Sequence, residues 1–260
     1  MNKKIEFSAT NVKAFSTWLK KFSSIDTALL LEVDEIGSKF MAKTYNEERS
    51  VVKSSSIKFE DAGLTIKLNS NPNLKRIKVG IYNISRFMKI MDQFNNEEFT
   101  LVINYDEVAG NEVEYAGINI ILKNKNLKMI VECTSLNIFK YIPDELFDGT
   151  IASLNKVLAN FPLTKENIEQ INSVSVLDNE HKFMEFKSIP DIFVAGKTFD
   201  LLIYETDNKI DGTIKSINIF KEQFESIDLE DYNVKMGEDR IVFAAADLMT
   251  TTVISMVEKD

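Results

Sequence analysis

Apolar and polar residues alternate in short runs along most of the chain, the period-two signature of strands with one buried face. Such runs are Thr27–Val33, Lys75–Tyr82, Phe99–Tyr105, Ile118–Lys123, Phe199–Tyr204 and Thr251–Val257. In four places the period lengthens. Phe15, Trp18, Leu19 and Phe22 recur at i, i+3, i+4, i+7, the spacing of a helix face, with Thr10 or Asn11 as N-cap. Ile84, Phe87, Met91 and Phe94 repeat that spacing from Asn83. Thr164-Lys-Glu-Asn predicts a third helix burying Ile168 and Ile171, and Lys221 to Ile227 a short fourth burying Phe224 and Ile227.

The order of elements recurs in the second half. Ile81-Tyr-Asn-Ile-Ser-Arg-Phe-Met-Lys-Ile90 stands beside Ile219–Ile227: in each, a strand runs into a short helix with inward Phe and Ile. Each then passes an acidic turn into a strand that starts with an aromatic, Phe99 or Tyr232. Between the halves, Tyr141-Ile-Pro-Asp-Glu-Leu-Phe-Asp-Gly149 carries turn chemistry. These features predict domains at 1–133 and 150–260 with a linker at 134–149.

Composition narrows the chemistry. Among 260 residues there are one His, one Cys and one Trp, which removes structural zinc, haem attachment and a disulfide scaffold. Only 9 Gly and 4 Pro leave little material for Gly-rich catalytic loops. No apolar h-region follows Met1-Asn-Lys-Lys, and charges interrupt every apolar run short of a membrane span, so a soluble, cytoplasmic protein is expected. Cys133 lies in a strand-like run and is expected to be buried and inert.

Motifs that resemble catalytic or ligand sites fail on their details. Ala195-Gly-Lys-Thr198 resembles the end of a phosphate loop, but Asp191 stands where the first Gly is required and a strand follows. Asp207-Asn-Lys-Ile-Asp-Gly212 resembles a calcium loop, but Lys209 and Asn218 occupy ligand positions. His181, in a polar connection, is the single imidazole for any triad and reads as a surface residue. The carboxylate pairs Asp34-Glu35 and Glu47-Glu48 fall in turns. No metal or cofactor is expected, and no enzymatic activity.

Charge is distributed unevenly. The chain carries 31 Lys+Arg against 40 Asp+Glu, a net −9. Residues 1–133 hold 19 basic and 17 acidic residues, while 134–260 hold 12 and 23. At about 100° per residue, Lys13, Thr17 and Lys20 fall opposite the apolar face of the first helix, with Lys21 at its edge. Ser85, Arg86, Lys89 and Gln93 do the same on the second.

Element order, internal repeat and cationic helix faces together resemble the DNA sliding clamps, above all the two-domain clamps of T-even-like bacteriophages and, more distantly, PCNA. The residues that carry this are the helix Asn11–Phe22 running into Ser24-Ile-Asp-Thr27, the segments Lys39–Asn46 and Ile81–Phe87, and the C-terminal run Tyr232 to Val257, with three closing antiparallel strands. The resemblance implies an α+β chain of two similar clamp-type domains, each with antiparallel sheets and two helices. Three copies would close head to tail into a homotrimeric ring, with Leu127–Thr134 and a strand near Thr198–Glu205 as the joining edges. It implies a non-catalytic processivity factor that encircles double-stranded DNA without reading its sequence and tethers the replicative DNA polymerase. An ATP-dependent clamp loader would open the ring. Lys13, Lys20, Lys21, Arg86 and Lys89 would face DNA, and Tyr45, Ile138, Tyr141 and Val257 would form a pocket for partner peptides. Lys165 and Lys221 of the second half stand beside Glu166, Glu222 and Glu225, against an evenly basic bore. The rival expectation is a β-rich structural or assembly protein, such as a virion component, with merely solvated helices; a nuclease using dispersed carboxylates ranks behind it.

Overall fold

Strand pairing in the computed structural model follows the alternation read from the sequence. The described residues are 3–10, 12–70, 76–94, 97–108, 114–139, 154, 156–178, 180–206, 215–247 and 249–257. They fall into two units, Met1–Thr44 with Ser54–Pro143, and Tyr45–Lys53 with Asp144–Asp260.

The first half of the chain runs β1 (Lys3–Ala9), α1 (Lys13–Lys20), β2 (Leu29–Asp34), β3 (Lys39–Tyr45), β4 (Val51–Lys58), β5 (Leu64–Asn69), β6 (Arg76–Ile81), α2 (Ile84–Asp92), β7 (Phe99–Val108), β8 (Glu114–Lys123) and β9 (Lys128–Glu132), all in the first unit except the last residue of β3 and the first three of β4. Strands β1, β7, β8 and β9 pair in that order, all antiparallel. β2 pairs antiparallel with β3 and β6, and a short parallel pairing of β6 with β8 joins the two sets. Both helices lie on the inner face, where Phe7, Phe15, Phe40 and Phe59 meet at ring separations of 4.7–5.4 Å. Every apolar residue assigned to the two helix faces is buried. The predicted cap of α1 is corrected: Val12 occupies the N-cap and makes no side-chain cap bond, while Asn11 lies outside the described residues. Val12 is itself fully buried, so core packing rather than capping sets the start of the helix.

The second unit repeats this order: β10 (Ala159–Leu163), α3 (Lys165–Leu177), β11 (Phe183–Ile189), β12 (Asp191–Ala195), β13 (Asp200–Tyr204), β14 (Lys215–Phe220), α4 (Lys221–Phe224), β15 (Tyr232–Met236), β16 (Arg240–Ala245) and β17 (Thr250–Ser255). The order β10-β15-β16-β17 matches β1-β7-β8-β9, and β12 and β14 flank β11 as β3 and β6 flank β2. Phe186 of β11, Phe224 of α4 and Phe243 of β16 sit 6.0–6.1 Å apart and form an aromatic core. α4 is shorter than predicted. It ends at Phe224, and tight turns carry the chain on so that Ile227 is still buried.

Tyr45–Lys53 lies within the span 1–133 read as one domain, yet groups with the second unit. Its attachments are long-range: Ser255 donates its N–H to the Ser50 carbonyl at 2.8 Å. Lys53, fully buried, pairs with Asp228 at 2.9 Å and donates to the Ser226 carbonyl at 2.7 Å. Local periodicity carries no trace of such bonds. The start of the predicted linker is likewise anchored. Thr134 donates its N–H to the Gly80 carbonyl at 2.9 Å, and Phe139, at the end of a 3-10 turn Leu136–Phe139, is buried. Gly80 permits this approach, since a Cβ there would collide with the Thr134 carbonyl and the Phe139 ring.

Candidate nucleic-acid interface

The rotation of α1 is fixed by what it buries. Phe15, Trp18 and Leu19 enter the core, and the Trp18 indole N–H donates to Ser55 Oγ at 2.9 Å. Lys13, Thr17 and Lys20 are thereby left exposed, with Lys21 half-buried at the margin. α2 is set from its N-terminus: the Asn83 side chain accepts from the Arg86 N–H at 2.8 Å, and Ile84 donates to the Thr27 carbonyl at 2.8 Å. With Ile84, Phe87, Ile90 and Met91 buried, Ser85, Arg86 and Lys89 are left on the outer side of the helix.

Between α1 and α2 runs a cleft of about 910 Å³, lined among others by Lys13, Thr17, Lys20, Ser85, Lys89 and Asp92. Of the five predicted DNA-facing residues it brings together Lys13, Lys20 and Lys89; Arg86, exposed on α2, and Lys21, half-buried at the C-cap of α1, are not part of its lining. Thr10, Ser16 and Ser23, which sequence reasoning did not assign, add hydroxyls. Their signal was available: Ser16 and Ser23 each follow an inward aromatic, at the border of the apolar face. Lysine ammonium groups and Ser/Thr hydroxyls are donors to phosphate oxygens and read no base edges. Lys20 and Lys89 also sit in the last turns of their helices, where the exposed carbonyls favour a cation.

The helices of the second unit differ. α3 opens with a capping box, Thr164 accepting from the Asn167 N–H at 3.2 Å while Asn167 Oδ1 accepts from the Thr164 N–H at 3.0 Å. Burial of Ile168 and Ile171 leaves Lys165, Glu166 and Glu169 on the outer side. Lys221, one of the two cations read as available to the bore, is instead an internal strut. Its ammonium donates to the Ser175 carbonyl at 3.2 Å and to the Asp178 carbonyl, and pairs with Asp178 Oδ2 at 3.2 Å, closing the C-terminus of α3. Asp178 also accepts from the Lys197 N–H at 2.8 Å. Burial opposes its charge, but these bonds prevail and hold its carboxyl below the usual carboxylate range. The Ala195-Gly-Lys-Thr198 turn is thus a seat for Asp178: a Cβ on Gly196 would meet that carboxylate and the Phe199 ring.

Cys133 is half-buried rather than fully buried, and the burial it has pushes its thiol up to about 12, with the Glu132 charge adding to it. At neutral pH it is a thiol. His181 is half-buried rather than exposed and stands edge-on to Phe183 at 5.8 Å. The calcium-like run at 207–212 lies outside the described residues.

Of the proposed partner-pocket residues, Tyr45 and Val257 are half-buried in the second unit, and Val257 donates its N–H to the Asn218 carbonyl at 2.9 Å. Ile138, in the first unit, is 40% exposed, and Tyr141 lies outside the described residues. As for the predicted joining edges, among the described residues β9 pairs only with β8 and β13 only with β12. No described helix is long and apolar enough to cross a membrane.

No family model and no curated protein matches the chain. Solved structures do. A. fulgidus PCNA, in a structure with the C-terminal region of FEN-1 bound, is similar at 11% identity and TM-score 0.60, over 98% of this chain and 100% of that one. Entamoeba histolytica PCNA is similar at 11% identity and TM-score 0.59, over 98% and 99%. The Helicobacter pylori beta clamp, bound to a DNA ligase peptide, is similar at 10% identity and TM-score 0.65, over 100% of this chain and 67% of that one. With its repeated order of strands and helices aligned over essentially its whole length, the chain has the sliding-clamp fold.

Proposed function

We propose that this protein is a non-catalytic DNA sliding clamp, a homotrimeric ring that encircles duplex DNA and tethers the replicative polymerase. The observation that carries this reading is the α1–α2 cleft, where Lys13, Lys20 and Lys89 join Ser and Thr hydroxyls in a chain of clamp fold. Lys21 and Arg86 extend the same cationic surface. Head-to-tail closure would use the edges β9 and β13, each paired on one side among the described residues and each with an exposed apolar residue, Ile130 and Leu202. Tyr45, Ile138, Tyr141 and Val257 are proposed contacts for the hydrophobic peptides of polymerase and clamp loader, by analogy with the FEN-1 and DNA ligase segments bound to the similar clamps.

A net charge of −9 opposes adhesion to DNA, so retention in this reading comes from closure of the ring. Retention on closed circular DNA, with loss from linear DNA of the same length once loaded, is the expected result. Equal retention on both would sink the mechanism. Light scattering tests assembly separately: a trimer, or a trimer in equilibrium with monomer, is expected, and a monomer at every concentration would count heavily against the ring.

A further inference from the structure

A second basic cleft, of about 500 Å³, lies at the end of the first unit's sheet, where Lys67 of β5, Lys123 at the end of β8 and Lys125 of the β8–β9 turn gather beside Ser8, Thr10 and Thr100. Thr10 lines this cleft and the α1–α2 cleft alike, so the two meet at the entrance to α1. We propose that the cleft of Lys67, Lys123 and Lys125 is a second phosphate-binding site, carrying the nucleic-acid backbone onward from the helix groove around the end of the sheet. The inference rests on the reading of the helix groove as a DNA surface.

Three observations support a built site over scattered surface charge. The turn that presents the lysines is held in place: Asn124 Oδ1 accepts from the N–H groups of Asn126 and Leu127 at 2.9 and 2.8 Å, and the Asn124 N–H donates to the Leu127 carbonyl at 2.9 Å. Its amide also donates to Glu97 at 2.6 Å, which ties the turn to the residues ahead of β7 and leaves the Glu97 charge in place. Lys123 stands directly opposite Lys128 across β8–β9, an arrangement that costs stability, so folding does not account for the concentration of charge. The field is felt by a neighbour: Glu6 is held below the usual carboxylate range, first by its hydrogen bond from Lys4 and, against the opposing effect of burial, also by the charges of Lys123 and Lys67. Ammonium groups interleaved with hydroxyls suit phosphate oxygens. Glu98 is the acid in the lining and weakens the site.

The test is the salt dependence of binding to a short fluorescent duplex, read by anisotropy on the full-length protein between about 50 and 200 mM salt. The triple variant Lys67→Gln/Lys123→Gln/Lys125→Gln should lower the slope of log affinity against log salt by about 2 to 3, close to one for each phosphate no longer neutralised. Glu98→Gln should bind more tightly than wild type, a gain that misfolding cannot produce. A parallel variant, Lys13→Gln/Lys20→Gln/Lys89→Gln, reports on the helix groove. If it loses slope while the cleft variant keeps the wild-type slope, the inference is overturned and the clamp reading stands; if neither variant changes the slope, both fall. Failure of the cleft variant to bind a polyglutamate peptide that wild type binds, with DNA binding unchanged, would assign the cleft to an acidic protein partner and likewise overturn the proposal.

Discussion

In α1 and α2 the residues turned away from the core include Lys13, Thr17, Lys20, Ser85, Arg86 and Lys89; in α3, α4 and the turn that follows they include Lys165, Glu166, Glu169, Glu222 and Glu225. Both pairs bury Phe or Ile against the sheets in the same way, within units of the same strand order. The inward halves are constrained by packing and are alike. The outward halves meet only solvent or a ligand, and there the two units differ: one presents donors for phosphate, the other an acidic surface. In the proposed ring the grip on DNA therefore falls to the first unit, while the second supplies wall and solubility.

The sharpest way to break this contrast is to reverse it. Lys20→Glu with Lys89→Glu should weaken duplex binding at low salt by roughly 10- to 100-fold, with an unchanged circular dichroism spectrum. The converse change, Glu166→Lys with Glu169→Lys on α3, should steepen the salt slope by about 1 to 2 if that helix also faces the duplex, and leave it unchanged if the first unit alone makes contact.

A smaller effect separates the lysines by role. Lys221→Met removes the cation that closes α3 and should lower the thermal midpoint measurably, whereas Lys20→Met, at an exposed position, should stay within about 0.5 kcal/mol of wild type. The Lys221 effect carries a pH signature. Because the Asp178 carboxyl is held below its ordinary value of 3.8, its stabilisation is present above that value and lost as pH falls through the lower folded value. The gap between Lys221→Met and wild type should accordingly narrow in strong acid. Among the changes expected to destabilise, the caps come last: Asn83→Ala and Thr164→Ala should each cost about 1 kcal/mol in denaturant unfolding, one in each unit.

Much of this was legible in the chain. The helix faces of α1 to α4 and six of the strands follow from spacing alone, because a buried stripe has a fixed period whatever it packs against. The outward direction of Lys13, Lys20, Arg86 and Lys89 follows from the same geometry. What could not be read depends on residues far apart in sequence. Lys221 looked like a free cation beside Glu222 and Glu225, yet its partners are Asp178 and the last carbonyls of α3, some 43–46 residues away. Val12 starts α1 without a capping side chain because it is held by the core, and Tyr45–Lys53 groups with the second unit through Ser255, Ser226 and Asp228.

The sequence by itself determined which side of each helix is apolar, where charge is concentrated along the chain, and that the same order of elements occurs twice. Those properties are local, set by side-chain periods of 2 and 3.6 residues. Only the tertiary structure decided that Lys13, Lys20 and Lys89 line one cleft, that a second basic cleft meets it at Thr10, and that Lys221 is spent inside the fold. Such facts arise from strand pairing and from the packing of helices, which bring together residues whose spacing along the chain carries no period at all.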